Sequence, residues 1–120
     1  MIVRSWEGVT RRADAERYAT YVEETGIAAL TATPGCVGAE IHRRLEGDRA
    51  IFRVESRWLS IDAMRAFAGD DPTVARFFPD DDAFLVERDW RVLIWEVTTS
   101  APAAVEPATT GRRDDPGDPA

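Results

Sequence analysis

A two-residue turn constrains this 120-residue chain more than any other feature. Gly47-Asp48 separates the runs "CVGAEIHRRLE" and "RAIFRVESRW", in which apolar and polar side chains largely alternate. Such alternation is typical of strands with one buried face, and Gly-Asp is a recognised pair for a tight hairpin turn. We therefore predict an antiparallel hairpin in which Glu46 lies opposite Arg49 and the remaining pairs follow in step.

This register divides the hairpin into two faces of opposite character, because paired residues share a face and neighbours along a strand do not. The apolar face carries Val37, Ala39, Ile41, Leu45, Ala50, Phe52, Val54 and Trp58. The other face carries Gly38, Glu40, His42, Arg44, Ile51, Arg53, Glu55 and Arg57. We expect helices to cover the apolar face, and water or a second chain to cover the charged one.

Strand and helix patterns alternate through residues 1–97, which we predict to form one domain. Two elements precede the hairpin: a strand at 2–8 and a helix capped by Thr10 and stopped by Pro34-Gly35. Three follow it: a helix at 61–69 capped by Ser60, a third helix from Asp71-Pro72 to Pro79, with Val74, Phe77 and Phe78 on its apolar side, and a last strand at 89–97 covered on both faces. The main elements run β-α-β-β-α-β, which predicts an α+β ferredoxin-like fold with an antiparallel sheet.

Composition excludes several classes of function. A net charge of −7 argues against nucleic-acid binding, which needs a clustered basic surface. The single cysteine, Cys36, and the single histidine, His42, rule out an internal disulfide and any metal motif that needs two histidines. The apolar runs are too short to span a membrane and no signal peptide is recognisable, so we expect a cytoplasmic protein. Residues 98–120 are rich in Pro, Ala and Asp, and we predict that this tail is disordered.

Three consecutive aspartates, Asp80, Asp81 and Asp82, raise the question of a metal site, since carboxylates bind Mg²⁺ and Ca²⁺. Adjacent side chains in a turning segment diverge, however, and the glycine-punctuated loop of an EF-hand is missing from this stretch. We predict instead a polar hinge in which Asp81 or Asp82 caps the turn "DAFL", and we expect no metal.

Several stretches together resemble one family. They are "MIVRSW.G", "EETG", "ATPG", "W.S..A.RAFAG.D" and "FFPDDDAFL", within residues 1–97. This pattern resembles the antibiotic biosynthesis monooxygenase-like proteins of the dimeric α/β-barrel group. The resemblance implies a homodimer in which two ferredoxin-like chains join their sheets into a barrel with the helices outside. It also implies a pocket between sheet and helices where some relatives oxidise quinol-type compounds without metal or flavin.

Other members of the group degrade haem, and their pattern can be compared position by position. The resemblance to these members would imply an asparagine on the first strand, a tryptophan in the helix after the third strand and a histidine in the next helix. This chain has Ser5 or Trp6, then Phe67, then Phe77 at these places. Because all three differ, haem chemistry is not expected here.

Two groups of residues are candidates for a site. On the charged face, His42 lies opposite Arg53 and Glu40 opposite Glu55. If a second chain encloses this face, a carboxylate there could have a raised pKa and act as a base; a salt-bridge network that only fixes the dimer is the alternative. On the helix side, Trp58 could meet Tyr18, Met64, Phe67 and Phe77 around a flat ligand; an ordinary apolar core is the alternative.

The sequence thus favours a cofactor-independent monooxygenase that acts on a small flat aromatic or quinol-type metabolite. His42, Arg53 and Trp58 are the candidates for its polar roles, and Tyr18, Met64, Phe67 and Phe77 for substrate contacts. His42 and Trp58 fall on opposite faces of the hairpin, so we do not expect them to share one site. The rival interpretation is a non-catalytic dimeric α/β-barrel protein that binds a small ligand or acts in stress.

Overall fold

A computed structural model of the chain describes residues 1–104. The strands are β1 (Ile2–Arg11), β2 (Cys36–Glu46), β3 (Arg49–Trp58), β4 (Leu85–Arg88) and β5 (Leu93–Glu96). The α-helices are α1 (Ala15–Val22), α2 (Ala28–Thr31), α3 (Ile61–Ala68) and α4 (Asp81–Phe84), with a 3-10 turn at Arg12–Asp14 and a π-helical turn at Glu23–Ile27. The five strands form one antiparallel sheet with helices packed on one face, which confirms the ferredoxin-like α+β class.

The hairpin has the predicted register. Glu46 pairs with Arg49 and His42 with Arg53, and Gly47 turns with a φ of 56°, a left-handed value that glycine adopts readily. The register shifts only at the start of β2, where Cys36 rather than Val37 lies opposite Trp58. Val37 is 44% exposed, so its predicted place on the apolar face is wrong because the bulge turns it away.

The sheet order is β2-β3-β1-β4, and β5 also pairs with β1. β5 lies along the first half of β1 and β4 along the second half, so together they form one interrupted edge strand. The strand predicted at 89–97 is therefore shorter than expected, and β4 was not predicted. Leu93 and Trp95 are 60% and 55% exposed, so the expectation that both faces of this strand are covered is wrong for the single chain.

The third helix predicted after Asp71-Pro72 does not form. Val74 instead makes an isolated antiparallel bridge with Arg91, and the amide of Ala75 donates to the carbonyl of Trp90 at 3.0 Å. The Arg4 guanidinium donates to the carbonyls of Pro72 and Val74 in this segment. These long-range bonds use the backbone groups that a local helix would have needed.

The helix caps follow the sequence only in part. Ser60 caps α3, since its hydroxyl accepts from the amide of Ala63 at 3.1 Å. Thr10 does not cap a helix: it is fully buried within β1, which continues to Arg11. The predicted first helix does extend to Thr31, but Gly26 lies in its π-helical turn, where the chain widens.

Two apolar clusters fill the space between the helices and the sheet. One contains Ala15, Tyr18, Val22, Ala50 and Phe52, and the other contains Leu30, Trp58, Met64 and Phe67. The predicted convergence of Tyr18 on Trp58 is therefore wrong, because the two rings belong to different clusters. Of the apolar hairpin residues, Ala50, Phe52 and Trp58 are fully buried, whereas Leu45 lies near the turn and is 42% exposed.

Residues 98–104 contain no helix or strand and are exposed. The rest of the predicted tail, 105–120, lies outside the described residues, so the domain boundary at residue 97 stays a prediction. Within residues 1–104, no helix is both long and apolar enough to cross a membrane.

Candidate functional site

A cavity of about 50 Å³ lies between the sheet, helix α1 with its π-helical turn, and the irregular segment that precedes α4. Its walls are mostly apolar, with a few polar groups among them. Its lining includes Arg4, Trp6, Tyr18, Phe67, Arg76, Phe77, Phe78 and Asp81. An apolar space with a few placed polar groups is the usual form of a small-molecule site, although the volume here is far below the roughly 300 Å³ of a typical one.

Arg4 is the most unusual residue of this cavity. It lies on the helix-facing side of β1 and only 6% of it is exposed. Its Nε donates to the carbonyl of Pro72 at 3.2 Å and its Nη2 to that of Val74 at 2.9 Å. Burial lowers the pKa of Arg4 to about 10, so the side chain is still cationic at neutral pH. No carboxylate among residues 1–104 forms an ion pair with it, which leaves a buried positive charge beside the cavity.

Trp6 and Phe77 form one aromatic wall. The two rings meet edge to face with centroids 6.1 Å apart, and the indole Nε1 of Trp6 donates to the carbonyl of Asp89 at 2.7 Å. Gly8 follows on the same side of β1, and a Cβ there would collide with the Trp6 indole and the Leu85 side chain. Glycine at this position is therefore what lets the indole lie across the strand.

Tyr18 and Asp81 form a buried polar pair. The tyrosine hydroxyl donates to Oδ1 of Asp81 at 2.9 Å, and the amide of Phe78 donates to Oδ2 at 2.7 Å. Asp81 is 5% exposed and Tyr18 is 1% exposed. Burial, reinforced by the neighbouring carboxylate, raises the pKa of Tyr18, so the phenol stays protonated as a hydrogen-bond donor.

Arg76 lies at the mouth of the cavity. Its guanidinium stacks over the rings of Phe67 and Phe78, at 4.8 and 4.9 Å from the centroids, and its Nη1 donates to the carbonyl of Phe67 at 3.1 Å. The side chain is exposed, unlike Arg4. Arg76 therefore ties the irregular segment to helix α3 and narrows the entrance.

The structure separates the residues that the sequence proposed for contacts with a substrate. Tyr18, Phe67 and Phe77 line the cavity. Met64 is fully buried and packs with Trp58 in the neighbouring cluster, away from the cavity lining. Trp58 is fully buried as well, and its Nε1 donates to the hydroxyl of Ser56 at 2.9 Å.

His42 and Arg53 lie on the open face of the sheet, opposite the cavity, as the register required. Arg53 Nε lies 3.2 Å from His42 Nδ1, and His42 Nε2 lies 2.7 Å from Oε1 of Glu40. The hydrogen bond with His42 lowers the pKa of Glu40. In the single chain, the charge of Glu40 is stabilised by His42 and Arg57. A raised pKa was expected only for a face enclosed by a second chain, and for that case it stays a prediction.

The aspartate triplet forms the expected hinge between "VARFF" and "AFL", but its capping role differs from the prediction. Asp80 precedes α4 without a side-chain cap, Asp82 pairs with Arg88 at 2.6 Å, and Asp81 is turned inward to Tyr18. Within residues 1–104, no group of three or more histidine, cysteine, aspartate or glutamate side chains is placed to hold a metal ion.

Arg4 and Asp81 were not expected at a site, whereas Trp6 was among the aromatic residues that the sequence suggested for a cavity wall. One signal was available for Arg4: it shares the two-residue spacing of Ile2 and Trp6, which places an arginine on the same side of a strand as two large apolar residues. No comparable signal exists for Asp81, whose burial depends on Tyr18, 63 positions earlier in the chain.

Solved structures with the same arrangement of helices and strands are known. A candidate antibiotic biosynthesis monooxygenase from Bacillus cereus is 14% identical, with a TM-score of 0.62 over 85% of this chain and 97% of that one. HapK from Hahella chejuensis is 16% identical, with a TM-score of 0.58 over 87% and 99%. The heme-degrader MhuD from Mycobacterium tuberculosis, solved with two hemes in its active site, is 20% identical, with a TM-score of 0.54 over 85% and 100%.

The chain has the fold of the antibiotic biosynthesis monooxygenase-like proteins. The resemblance noted in the sequence is thereby confirmed for the fold. The sequence itself matches no protein-family model and no curated protein.

Haem does not fit the residues of this cavity. Within the part of the chain that the structure describes, neither histidine nor cysteine lines it, and the single histidine lies on the opposite face of the sheet. The three positions at which the resemblance to haem-degrading members would imply asparagine, tryptophan and histidine carry Ser5 or Trp6, Phe67 and Phe77 in this chain.

Proposed function

We propose that this chain binds a small planar compound with an ionisable oxygen and oxidises it with O₂ without a cofactor. The observation that carries the proposal is Arg4, a buried guanidinium whose hydrogen-bond acceptors among residues 1–104 are two backbone carbonyls and which borders an aromatic-walled cavity. A fixed donor in a water-poor site stabilises negative charge much better than water does.

The proposed reaction converts a ring CH₂ group to a carbonyl, with O₂ as the oxidant. The compound gives up a CH proton to water and binds as an enolate whose oxygen is held by Arg4. Its carbanionic carbon transfers electrons to O₂ and forms a C–O bond, and the peroxide anion takes a proton back from water to give a hydroperoxide. Loss of the remaining C–H proton to water forms the carbonyl as the O–O bond breaks, and the released hydroxide combines with that proton to give water. One oxygen atom enters the product and the other leaves in water, so four electrons pass from the CH₂ group to O₂.

Oxygen consumption with anthrone- and quinol-type compounds tests this proposal. We expect the purified protein to consume O₂ with these compounds and to be inactive on their methyl ethers, which have no ionisable oxygen. His42→Ala separates the two faces of the sheet: a loss of turnover as large as that caused by changing Arg4 would move the site to the open face. Failure to consume O₂ with any compound in the series would contradict the oxygenase proposal.

The small volume of the cavity favours a second candidate function, a dimeric module that binds a ligand without turning it over. Phe77, Phe78 and Arg76 line the cavity, and we expect these side chains to shift when a ring binds. The same oxygen assay distinguishes the candidates, since a binding module would take up the ionisable compounds without consuming O₂.

We also propose that the protein is a homodimer joined through the open face of the sheet. Leu93 and Trp95 are exposed there beside Arg53 and Glu55, which supply both signs of charge on one surface. A face with apolar and oppositely charged groups can complement a second copy of itself.

Changing Leu93 to arginine tests the dimer. We expect the wild-type protein to sediment at twice the mass of one chain, and Leu93→Arg to sediment as a monomer because it places an added charge in the interface. Val86→Arg, on the exposed part of β4, is the matched control and should leave the mass unchanged. A monomeric wild type at micromolar concentration would contradict the proposal.

A further inference from the structure

Two opposite charges border the cavity without pairing with each other. Arg4 is 6% exposed and Asp81 is 5% exposed, and both side chains line the same space. Among residues 1–104 their hydrogen-bond partners are neutral: two backbone carbonyls for Arg4, and a hydroxyl and an amide for Asp81. Buried charges usually pair, so a cavity that keeps two of them apart is arranged for a ligand that reaches both.

Each charged group also retains bonding capacity. The Nη1 of Arg4 makes no hydrogen bond to residues 1–104, whereas Nε and Nη2 each donate to a backbone carbonyl. A carboxylate offers about four lone-pair positions, and Asp81 uses two of them, for Tyr18 and Phe78. The spare capacity consists of donors at Arg4 and acceptors at Asp81.

The aromatic walls of the same cavity suit a flat ring. Trp6, Phe67 and Phe77 supply aromatic surface, and Phe67 lies under the Arg4 guanidinium at 5.5 Å from its ring centroid. A ring held between these side chains would present its substituents at its two ends and not at its faces.

We infer that the cavity selects an aromatic compound with an ionised oxygen at one end, for Arg4, and a neutral O–H or N–H donor at the other, for Asp81. The inference rests on the proposed function in one respect: it assumes that the cavity is the ligand site. It goes beyond that function by naming Asp81 as a specificity-determining residue. Compounds with an anionic group at both ends are excluded, because the second anion would face the carboxylate of Asp81.

Four single-ring probes test this selection: benzoate, para-hydroxybenzoate, para-methoxybenzoate and terephthalate. They are titrated into the full-length protein by calorimetry without oxygen, so that binding is measured apart from any oxidation. We expect para-hydroxybenzoate to bind about 10- to 100-fold more tightly than para-methoxybenzoate, the range for a hydrogen bond to a charged group. Terephthalate should bind more weakly than benzoate.

Asp81→Asn should abolish the preference for the hydroxyl over the methoxy compound and improve the binding of terephthalate. Asp80→Asn is the matched control, because Asp80 is the exposed neighbour in the chain and its change should leave the ranking as it is. The ranking of the four probes on the wild-type protein needs no variant, so the test holds even if Asp81→Asn fails to fold.

Equal affinity for the hydroxyl and methoxy compounds, or no binding of any probe at millimolar concentration, would overturn this inference. Its failure is distinguishable from that of the oxygenase proposal. The expected ranking without O₂ consumption by any substrate contradicts the oxygenase and leaves the selection by Arg4 and Asp81 intact. O₂ consumption without the expected ranking contradicts the selection by Arg4 and Asp81 and leaves the oxygenase proposal intact.

Discussion

Arg4→Gln should lower kcat/KM for oxygen-dependent turnover by about 100- to 1,000-fold. Glutamine can still donate to one carbonyl of the 72–74 segment, but it has no positive charge to hold the developing oxyanion. The expected size is that of removing one donor to an oxyanion in a water-poor site. Initial rates of O₂ consumption over a range of substrate concentrations give kcat and KM separately, and the larger part of the loss should fall on kcat.

Two further variants separate the charge of Arg4 from its structural role. Arg4→Lys keeps the charge but not the planar fork, so it should retain part of the activity. Arg49→Gln removes an exposed arginine that pairs with Glu87 and should leave turnover unchanged. If Arg4→Gln and the wild type are both folded and have similar kcat values, Arg4 takes no part in the reaction.

Trp58→Ala should destabilise the folded chain by about 3–5 kcal/mol, the usual cost of removing a large buried aromatic side chain. Trp58 is fully buried at the end of β3 and packs against Met64 and Phe67. The truncation also leaves the buried hydroxyl of Ser56 without its indole partner. Since whole domains are stable by only about 5–15 kcal/mol, the variant should lose a large share of its stability and unfold at a clearly lower urea concentration than the wild type.

Urea denaturation followed by circular dichroism measures this loss. Trp90→Ala is the control, because Trp90 is 65% exposed and its loss should cost less than about 1 kcal/mol. Trp58→Phe keeps most of the buried ring and should lie between the two. If Trp58→Ala proved as stable as Trp90→Ala, the packing of the helices on this face of the sheet would have to differ from that described above.

The hairpin could be predicted because its information is local. A Gly-Asp turn fixes the register, and the register alone assigns His42 and Arg53 to one face and Trp58 to the other. The α+β class followed from the order of the elements, since the periodicities of strands and helices differ. Only the bulge at Val37, which depends on how the chain enters the sheet from Gly35, escaped this reasoning.

The errors all involve partners far apart in the sequence. Asp71-Pro72 is a valid local start for a helix, but the bonds from Arg4, 68 and 70 positions earlier, hold the chain in an irregular path. The turn "DAFL" was expected from local signals, but the strand Leu85–Arg88 was not, because it is defined by its pairing with β1. Asp81 reads as a solvated hinge residue until the Tyr18 hydroxyl is placed beside it.

The candidate site was therefore only half predictable. Its apolar members, Tyr18, Phe67 and Phe77, were expected because large side chains at strand and helix spacing are directed inward. Its charged members were not, because a sequence pattern shows the side to which a polar residue points but not what surrounds it there. The polar residues that looked most promising, His42 and Arg53, lie on the other side of the sheet.

The interrupted edge strand has a consequence for how this protein can change over generations. The irregular segment that precedes α4 bonds to residues 90–92, which connect β4 and β5, and to Arg4. Within residues 1–104 it forms no strand pairing with the hairpin of β2 and β3. We expect substitutions of Phe77, Phe78 or Arg76 to leave the backbone pairing of β2 with β3 unchanged. Part of the cavity wall and the pairing of the hairpin thus depend on separate stretches of the chain, so selection can change Phe77, Phe78 or Arg76 while it conserves the hairpin.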